Sequence, residues 1–180
     1  MEKSKELQFD SWGFGSVPSL TQLDLKSIKE ASSFEGVVRV WRNNYKLAHG
    51  ALIFSDKPVH GDCFEIAKAV VWEMLINNSI KSHAFLVEVP EILMRGYYYD
   101  EEDFRLLSSI ETADIVVFHE VAPAKYNDRA ILKMYNLFNM RTKVKKPFIV
   151  TSSVSPKEIT LNVGVAIAKL LTLNCALIEL

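Results

Sequence analysis

The sequence predicts an α/β fold, a parallel sheet covered by helices on both faces, and three observations carry the prediction. From residue 50 onward, short apolar runs alternate with longer stretches of helical periodicity, the pattern of strand–helix–strand units. Runs such as Ile-Val-Val-Phe at 115–118 are apolar throughout instead of alternating, as strands buried on both faces must be. A chain of 180 residues, 49% of them hydrophobic, suffices for one such domain with a substantial core and is too short for two ordinary ones.

Charge and cysteine usage narrow the function classes. The 21 Lys and Arg are balanced by 22 Asp and Glu, giving a formal net charge of -1 and a pI of about 6.4. No global positive field draws nucleic acid, so any DNA contact has to be local. Cys63 and Cys175 are distant in sequence and sit in apolar settings, which makes a reduced cytosolic state the default. The start of the chain lacks the apolar core of a signal peptide, and no apolar run approaches a membrane span. The expectation is a cytoplasmic protein with no membrane partner.

Residues 1–20 are polar around a Ser-Trp-Gly-Phe-Gly-Ser-Val-Pro insert and read as an arm that packs Trp12 and Phe14 onto the domain. Ser19 or Thr21 can cap a helix through Leu23, Leu25, Ile28 and Phe34. An amphipathic stretch at 36–45, apolar and basic, follows with Arg39 and Arg42. The expected division is therefore 1–49 as an N-terminal arm and helix, and 50–180 as the α/β core. A strand at 51–54 is broken by Pro58 and Gly61, and a helix starts at Asp62. Asp62 suits an N-cap with Glu65 three residues on, and Cys63, Ile66, Ala67, Val70 and Met74 fall on one face.

Residues 83–89 form the next strand, and Pro90 suits the first turn of a short helix to residue 95. Tyr97, Tyr98 and Tyr99 offer surfaces on which bases stack, yet four acids follow them directly. A loop packed by its own aromatics, or a protein-contact surface, is the better reading. A helix at 103–111 leads into the most apolar strand, 113–120, with Val117 in its core. Helical spacing returns with Ile131, Met134, Tyr135, Phe138 and Met140. Lys143, Lys145 and Lys146 then form a basic turn before a strand at 148–152. Ser155-Pro-Lys-Glu is a capping box with Pro at the first helical position. A last helix near 163–171 runs into a strand at 175–180.

The stretch from residue 50 to 74, strand then tight loop then helix, lies where a P-loop NTPase holds its phosphates. Such a loop needs glycines whose N–H groups turn inward, a Lys for the β/γ oxygens and a Ser or Thr for Mg²⁺, in the pattern GxxxxGK[ST]. Aligning Gly61 with the last glycine places Asp56 at the first, Asp62 in the Lys slot and Cys63 in the hydroxyl slot. Sliding by one residue puts Gly61 in the Lys slot and Asp62 in the hydroxyl slot. Lys57 lies inside the loop, and neither register has a lysine where one is required. An Asp62 carboxylate beside the helix N-terminus competes with an anion for the free N–H groups.

From residue 50 to 180 the chain resembles the AAA+ core of the bacterial DnaC/DnaI-type helicase loaders. Ile115-Val-Val-Phe-His-Glu resembles their Walker B strand, and Asp128-Arg129 with the helix through Asn136 and Arg141 resembles their arginine-containing helix. Lys146-Pro-Phe-Ile-Val-Thr-Ser-Ser-Val-Ser-Pro-Lys-Glu resembles the sensor stretch, and the segment from Val163 resembles the final helix. The resemblance implies a three-layer P-loop NTPase-like sheet, without a C-terminal lid domain. It also implies a role in DNA replication or a related DNA transaction. The departures fall on the catalytic positions. His119 replaces the Walker B acid, with Glu120 retained where a water-polarising carboxylate sits. Ser153 stands at the sensor Asn position, and Ala166 and Leu170 stand at two arginine positions.

His60, Cys63, His119 and Glu120 can converge at the carboxyl edge of such a sheet. A zinc site needs three or four ligands in good geometry, so a hydrogen-bonded structural His119 is the simpler reading and no metal is expected. The first function class is a catalytically inactive AAA+-like module that contacts a helicase, an active AAA+ loader or a copy of itself. It needs no cofactor. The alternative is an enzyme, either an NTPase with a non-standard phosphate loop using ATP and Mg²⁺, or a metal-dependent activity at the same edge. DNA binding is expected to be weak or absent, confined to spots such as Lys143, Lys145 and Lys146 or Arg39 and Arg42.

Overall fold

The computed structural model describes residues 2–14, 50–55, 62–76, 79–80, 83–94 and 101–179. The helix expected from Ser19 or Thr21, the basic pair Arg39 and Arg42, the loop residues Asp56, Lys57, His60 and Gly61, and the tyrosines 97–99 lie outside them. Among the described residues, the strands β1 (Gly50–Phe54), β2 (Ala84–Glu88), β3 (Ile115–His119), β4 (Phe148–Ser152) and β5 (Cys175–Glu179) form one sheet. All its pairings are parallel, in the order β2-β3-β4-β1-β5. The helices are α1 (Glu2–Phe9), α2 (Asp62–Ile76), α3 (Val89–Met94), α4 (Glu101–Thr112), α5 (Asp128–Lys143), α6 (Pro156–Val163) and α7 (Val165–Asn174).

The apolar runs form strands because their two alternating sets of side chains enter two different cores. On one face Ala51, Ile53, Ile115, Val117 and Ile149 pack with Ile66, Val70 and Val71 of α2 and with Phe9 and Phe14. On the other, Leu52, Val116, Phe118, Phe148 and Val150 pack with Met134 and Phe138 of α5 and with α6 and α7. Helix, sheet and helix make the three layers that the sequence predicts. The amino-terminal arm is more structured than expected. After α1, a π-helical turn (Asp10–Phe14) contains Gly13 at φ 87°, and Phe9 stacks on Phe14 at 5.0 Å and meets Trp72 of α2 edge-on at 5.5 Å. No helix among the described residues is long and apolar enough to cross a membrane.

Local chemistry sets the helix ends. Asn127 caps α5 by accepting from Ala130 N at 2.9 Å, and Arg141 and Lys143 lie in its last turn, where they complement the helix dipole. The capping box forms as predicted, Ser155 and Glu158 closing on each other at the start of α6. The last helix, expected near 163–171, runs Val165–Asn174, and Gly164, at φ 86°, separates it from α6 in a conformation that favours glycine. Gly50 is needed for a different reason: a Cβ there would lie 2.7 Å from both Cys175 Sγ and a Phe148 ring carbon.

Arg141 is fully buried at the end of the sheet where the strands begin. Its guanidinium donates to the carbonyls of Ile110 (2.9 Å), Glu111 (3.3 Å), Asp114 (3.0 Å) and, from two nitrogens, Pro147 (2.9 and 3.2 Å). It ties the end of α4 to the entrances of β3 and β4. Lys146 reinforces the same corner, donating to Glu111 O and Thr112 O at 3.2 and 2.7 Å.

Candidate functional site

In a parallel sheet all strands end at one edge, and the loops that follow them share it. Here β4 lies between β1 and β3, so the ends of these three strands and the first turn of α2 face one another. His119 ends β3 and its Nδ1 pairs with Thr151 Oγ1 on β4 at 2.7 Å. The same hydroxyl accepts from the Glu120 backbone N at 3.2 Å. Phe64, in the first turn of α2, lays its ring on the His119 imidazole, with centroids 4.1 Å apart and planes 24° from parallel. Cys63 donates its thiol to Ser152 O at 3.6 Å. Lys68, buried, is paired with Glu65 at 2.5 Å and sits 5.2 Å from the Phe64 ring centre.

Beyond His119 the chain turns sharply over the end of β4. Glu120 and Ala122 have φ of 57° and 62°, left-handed conformations that cost an ordinary residue about 1–3 kcal/mol each. Hydrogen bonds hold the turn. Val121 N donates to Thr151 O at 2.9 Å, Ser152 Oγ donates to Val121 O at 2.8 Å, and Asn162 Nδ2 donates to Ala122 O at 2.8 Å. The result aims the Glu120 carboxylate at Ser153, whose Oγ and backbone N donate to it at 2.5 and 3.3 Å. Burial, and secondarily the Glu120 charge, push the Tyr126 phenol above its ordinary value.

The structure places Cys63, His119, Glu120 and Ser153 at one edge of the sheet, with Thr151 and Phe64 beside them, and His60, the other residue expected to converge there, lies outside the described residues. Asp62 is the first residue of α2. Among the described residues, no three His, Cys, Asp or Glu side chains converge as a metal site, and His119 engages a threonine hydroxyl and an aromatic ring. Of the two arginine-slot residues, Leu170 packs into the core and Ala166 is exposed. Arg141 is held by carbonyls at the far end of the sheet. A sequence signal for Phe64 does exist, a large aromatic in the first turn of α2 that lies off the apolar stripe. Nothing local distinguishes Thr151 from any other strand residue.

No protein-family model matches the chain, and no curated protein sequence does. Solved structures do match. The crystal structure of the DnaC helicase loader superposes with a TM-score of 0.67 at 14% identity, covering 80% of this chain and 86% of that one. DnaI gives 0.69 at 14% identity over 89% of both chains. Domain III of the Thermotoga maritima replication initiation protein DnaA gives 0.63 at 10% identity, over 83% of this chain and 61% of that one. With its sheet order and its helices on both faces, the chain has the AAA+ core fold, of the P-loop NTPase kind, that DnaC, DnaI and DnaA also have.

Proposed function

We propose that the chain is a catalytically inactive AAA+-like module that acts through protein contact in DNA replication or a related DNA transaction. Its partner is a helicase, an active AAA+ loader or a second copy of itself, and it uses no nucleotide or metal cofactor. One observation carries the loss of catalysis. The Phe64 ring stacks on His119 and the Cys63 thiol donates to Ser152 O, so side chains of the first turn of α2 engage the ends of β3 and β4 directly. In a P-loop NTPase a hydroxyl from that turn and a Walker B carboxylate hold Mg²⁺ between these elements.

The residues present do not fit Mg²⁺–ATP. Phosphoryl transfer is catalysed by positioning and charge compensation, and a single arginine at the γ-phosphate contributes about 10³–10⁵-fold. Here the loop lysine, the hydroxyl, the Walker B acid and both arginines of the final helix are replaced together. Glu120 is retained, but its carboxylate is engaged by Ser153. Cytoplasmic residence belongs to the same reading.

Phosphate release tests it. The purified chain is assayed with ATP and Mg²⁺, alone and with a replicative helicase and a DnaC- or DnaI-type loader, beside its Glu120→Gln variant. The expected result is that wild type and variant give the same release in every mixture. Turnover that the variant abolishes would establish the alternative, an NTPase with a non-standard phosphate loop.

A further inference from the structure

We infer that the turn at residues 120–122 is a strained latch, closed over the end of β4 by the bond between Ser153 and Glu120. Loss of that bond opens residues 120–126 as one unit and releases the Glu120 carboxylate. The inference goes beyond the loss of catalysis and does not rest on it.

Strain and burial coincide in this turn. Among the described residues three that are not glycine have a positive φ, and Glu120 and Ala122 are two of them. Such conformations persist only where the surroundings over-determine them, and they gather at switch regions. Val121 and Ala122 are fully buried and belong to the core on the α5 face of the sheet. The strain is therefore held inside the domain and not in a free surface loop.

Two sets of hydrogen bonds fasten the turn. The first comes from β4 and holds its middle. Thr151 O accepts from Val121 N at 2.9 Å, Thr151 Oγ1 accepts from Glu120 N at 3.2 Å, and the buried Ser152 donates to Val121 O at 2.8 Å. The second set holds the two strained residues from beyond the strand. Ser153 donates twice to the Glu120 carboxylate, and Asn162 of α6 donates to Ala122 O at 2.8 Å. Asn162 O also accepts from Tyr126 N at 3.4 Å, so one residue of α6 clasps both ends of the exposed run 123–125. A turn that relaxes at Glu120 pulls on both ends of that clasp, which makes 120–126 the unit that moves.

Ser153 is the point of release. It is exposed, whereas Thr151 and Ser152 are buried. Its bond to a carboxylate is charge-assisted, and such bonds are about twice as strong as neutral ones. Its contribution is of the same order as the strain of two left-handed residues, so its presence or absence decides the balance between closed and open.

Amide hydrogen exchange of the full chain, read residue by residue by NMR, tests the latch with three replacements of Ser153. Ser153→Thr keeps the hydroxyl and should leave exchange at Val121 and Tyr126 within about threefold of wild type. Ser153→Ala should speed both amides by a common factor of about ten- to hundredfold, as the loss of a hydrogen bond to a charged group allows. Val117 and Ile149, in the middle of β3 and β4, should keep their protection, because the opening is local. Ser153→Asp sets a second carboxylate against Glu120 and should speed the two amides further than alanine does, by a margin that shrinks at high salt. Adding Ala122→Gly to Ser153→Ala should slow exchange at Val121 again, since glycine takes the left-handed conformation without strain. Unchanged exchange in Ser153→Ala, acceleration at Val121 without Tyr126, or acceleration spread through the sheet would each overturn the inference. So would a threonine variant as fast as alanine, an aspartate variant no faster than alanine, or faster exchange on adding Ala122→Gly. None of these results involves phosphate release, so the loss of catalysis stands or falls separately.

Discussion

Replacing Arg141 with Met keeps most of the side-chain volume and removes the guanidinium. At least five hydrogen bonds to four carbonyls are lost, at 2.9–3.3 Å. A hydrogen bond to a charged group contributes about 1.5–3 kcal/mol, but these share one donor group and do not add, and removing a buried charge returns part of its desolvation cost. Stranding the carbonyls of Ile110, Glu111, Asp114 and Pro147 leaves a net loss of about 3–5 kcal/mol, a large part of the 5–15 kcal/mol that holds a domain folded. With a urea slope of about 2 kcal/mol per molar, the denaturation midpoint should fall by about 2 M. Arg141→Lys should fall about half as far, because an ammonium has three donors and no planar fork to span α4, β3 and β4. A shift for Arg141→Met below about 0.5 M, or a Lys variant as stable as wild type, would refute this account of the corner.

Three further outcomes follow from the same geometry. Gly50→Ala forces a methyl into Cys175 Sγ and the Phe148 ring, and should cost about 1–3 kcal/mol by overpacking in chemical denaturation. The Ser155 backbone and side-chain hydrogen bonds hold the Glu158 carboxyl below its ordinary value of 4.5. Its folded value is therefore the lower one, so the stabilisation it gives α6 is present above 4.5 and is lost as pH falls through the folded value. Carbon-detected NMR titration should show that depression, and Ser155→Ala should reverse it. The Tyr126 phenol is raised first by burial and second by Glu120, so in phenolate absorbance Glu120→Gln should lower its midpoint while leaving it above 10.0.

The five strands were legible because burial on both faces demands unbroken apolar runs, and each observed strand lies within a residue or two of its expected bounds. The capping box at Ser155 was legible because its chemistry is local. The α1 helix was not, since Glu-Lys-Ser-Lys-Glu-Leu-Gln-Phe has no apolar stripe and docks through the buried Phe9 and through Lys5, whose Nζ donates to Leu75 O and Ile76 O at 3.1 Å. The expected start of the last helix near Val163 lies within two residues of the observed one, and the positive φ of Gly164 sets the boundary with α6. At the site, sequence placed His119, Glu120 and Ser153 at one edge through the order of the strands. The Phe64–His119 stack and the burial of Arg141 depend on contacts between segments roughly 30–55 residues apart, which no local pattern encodes. The expectation for Asp56, Lys57 and Gly61 concerns residues outside those described.

Titration calorimetry of the purified chain with ATP and Mg²⁺ tests the central claim most directly. The stacked Phe64 and His119, the thiol of Cys63 on Ser152 and the missing lysine predict no heat of binding up to millimolar nucleotide, a standard free energy weaker than about -4 kcal/mol. Micromolar affinity at one site per chain would contradict it, showing that the loop between β1 and α2 holds a triphosphate without the lysine, the hydroxyl or the Walker B acid.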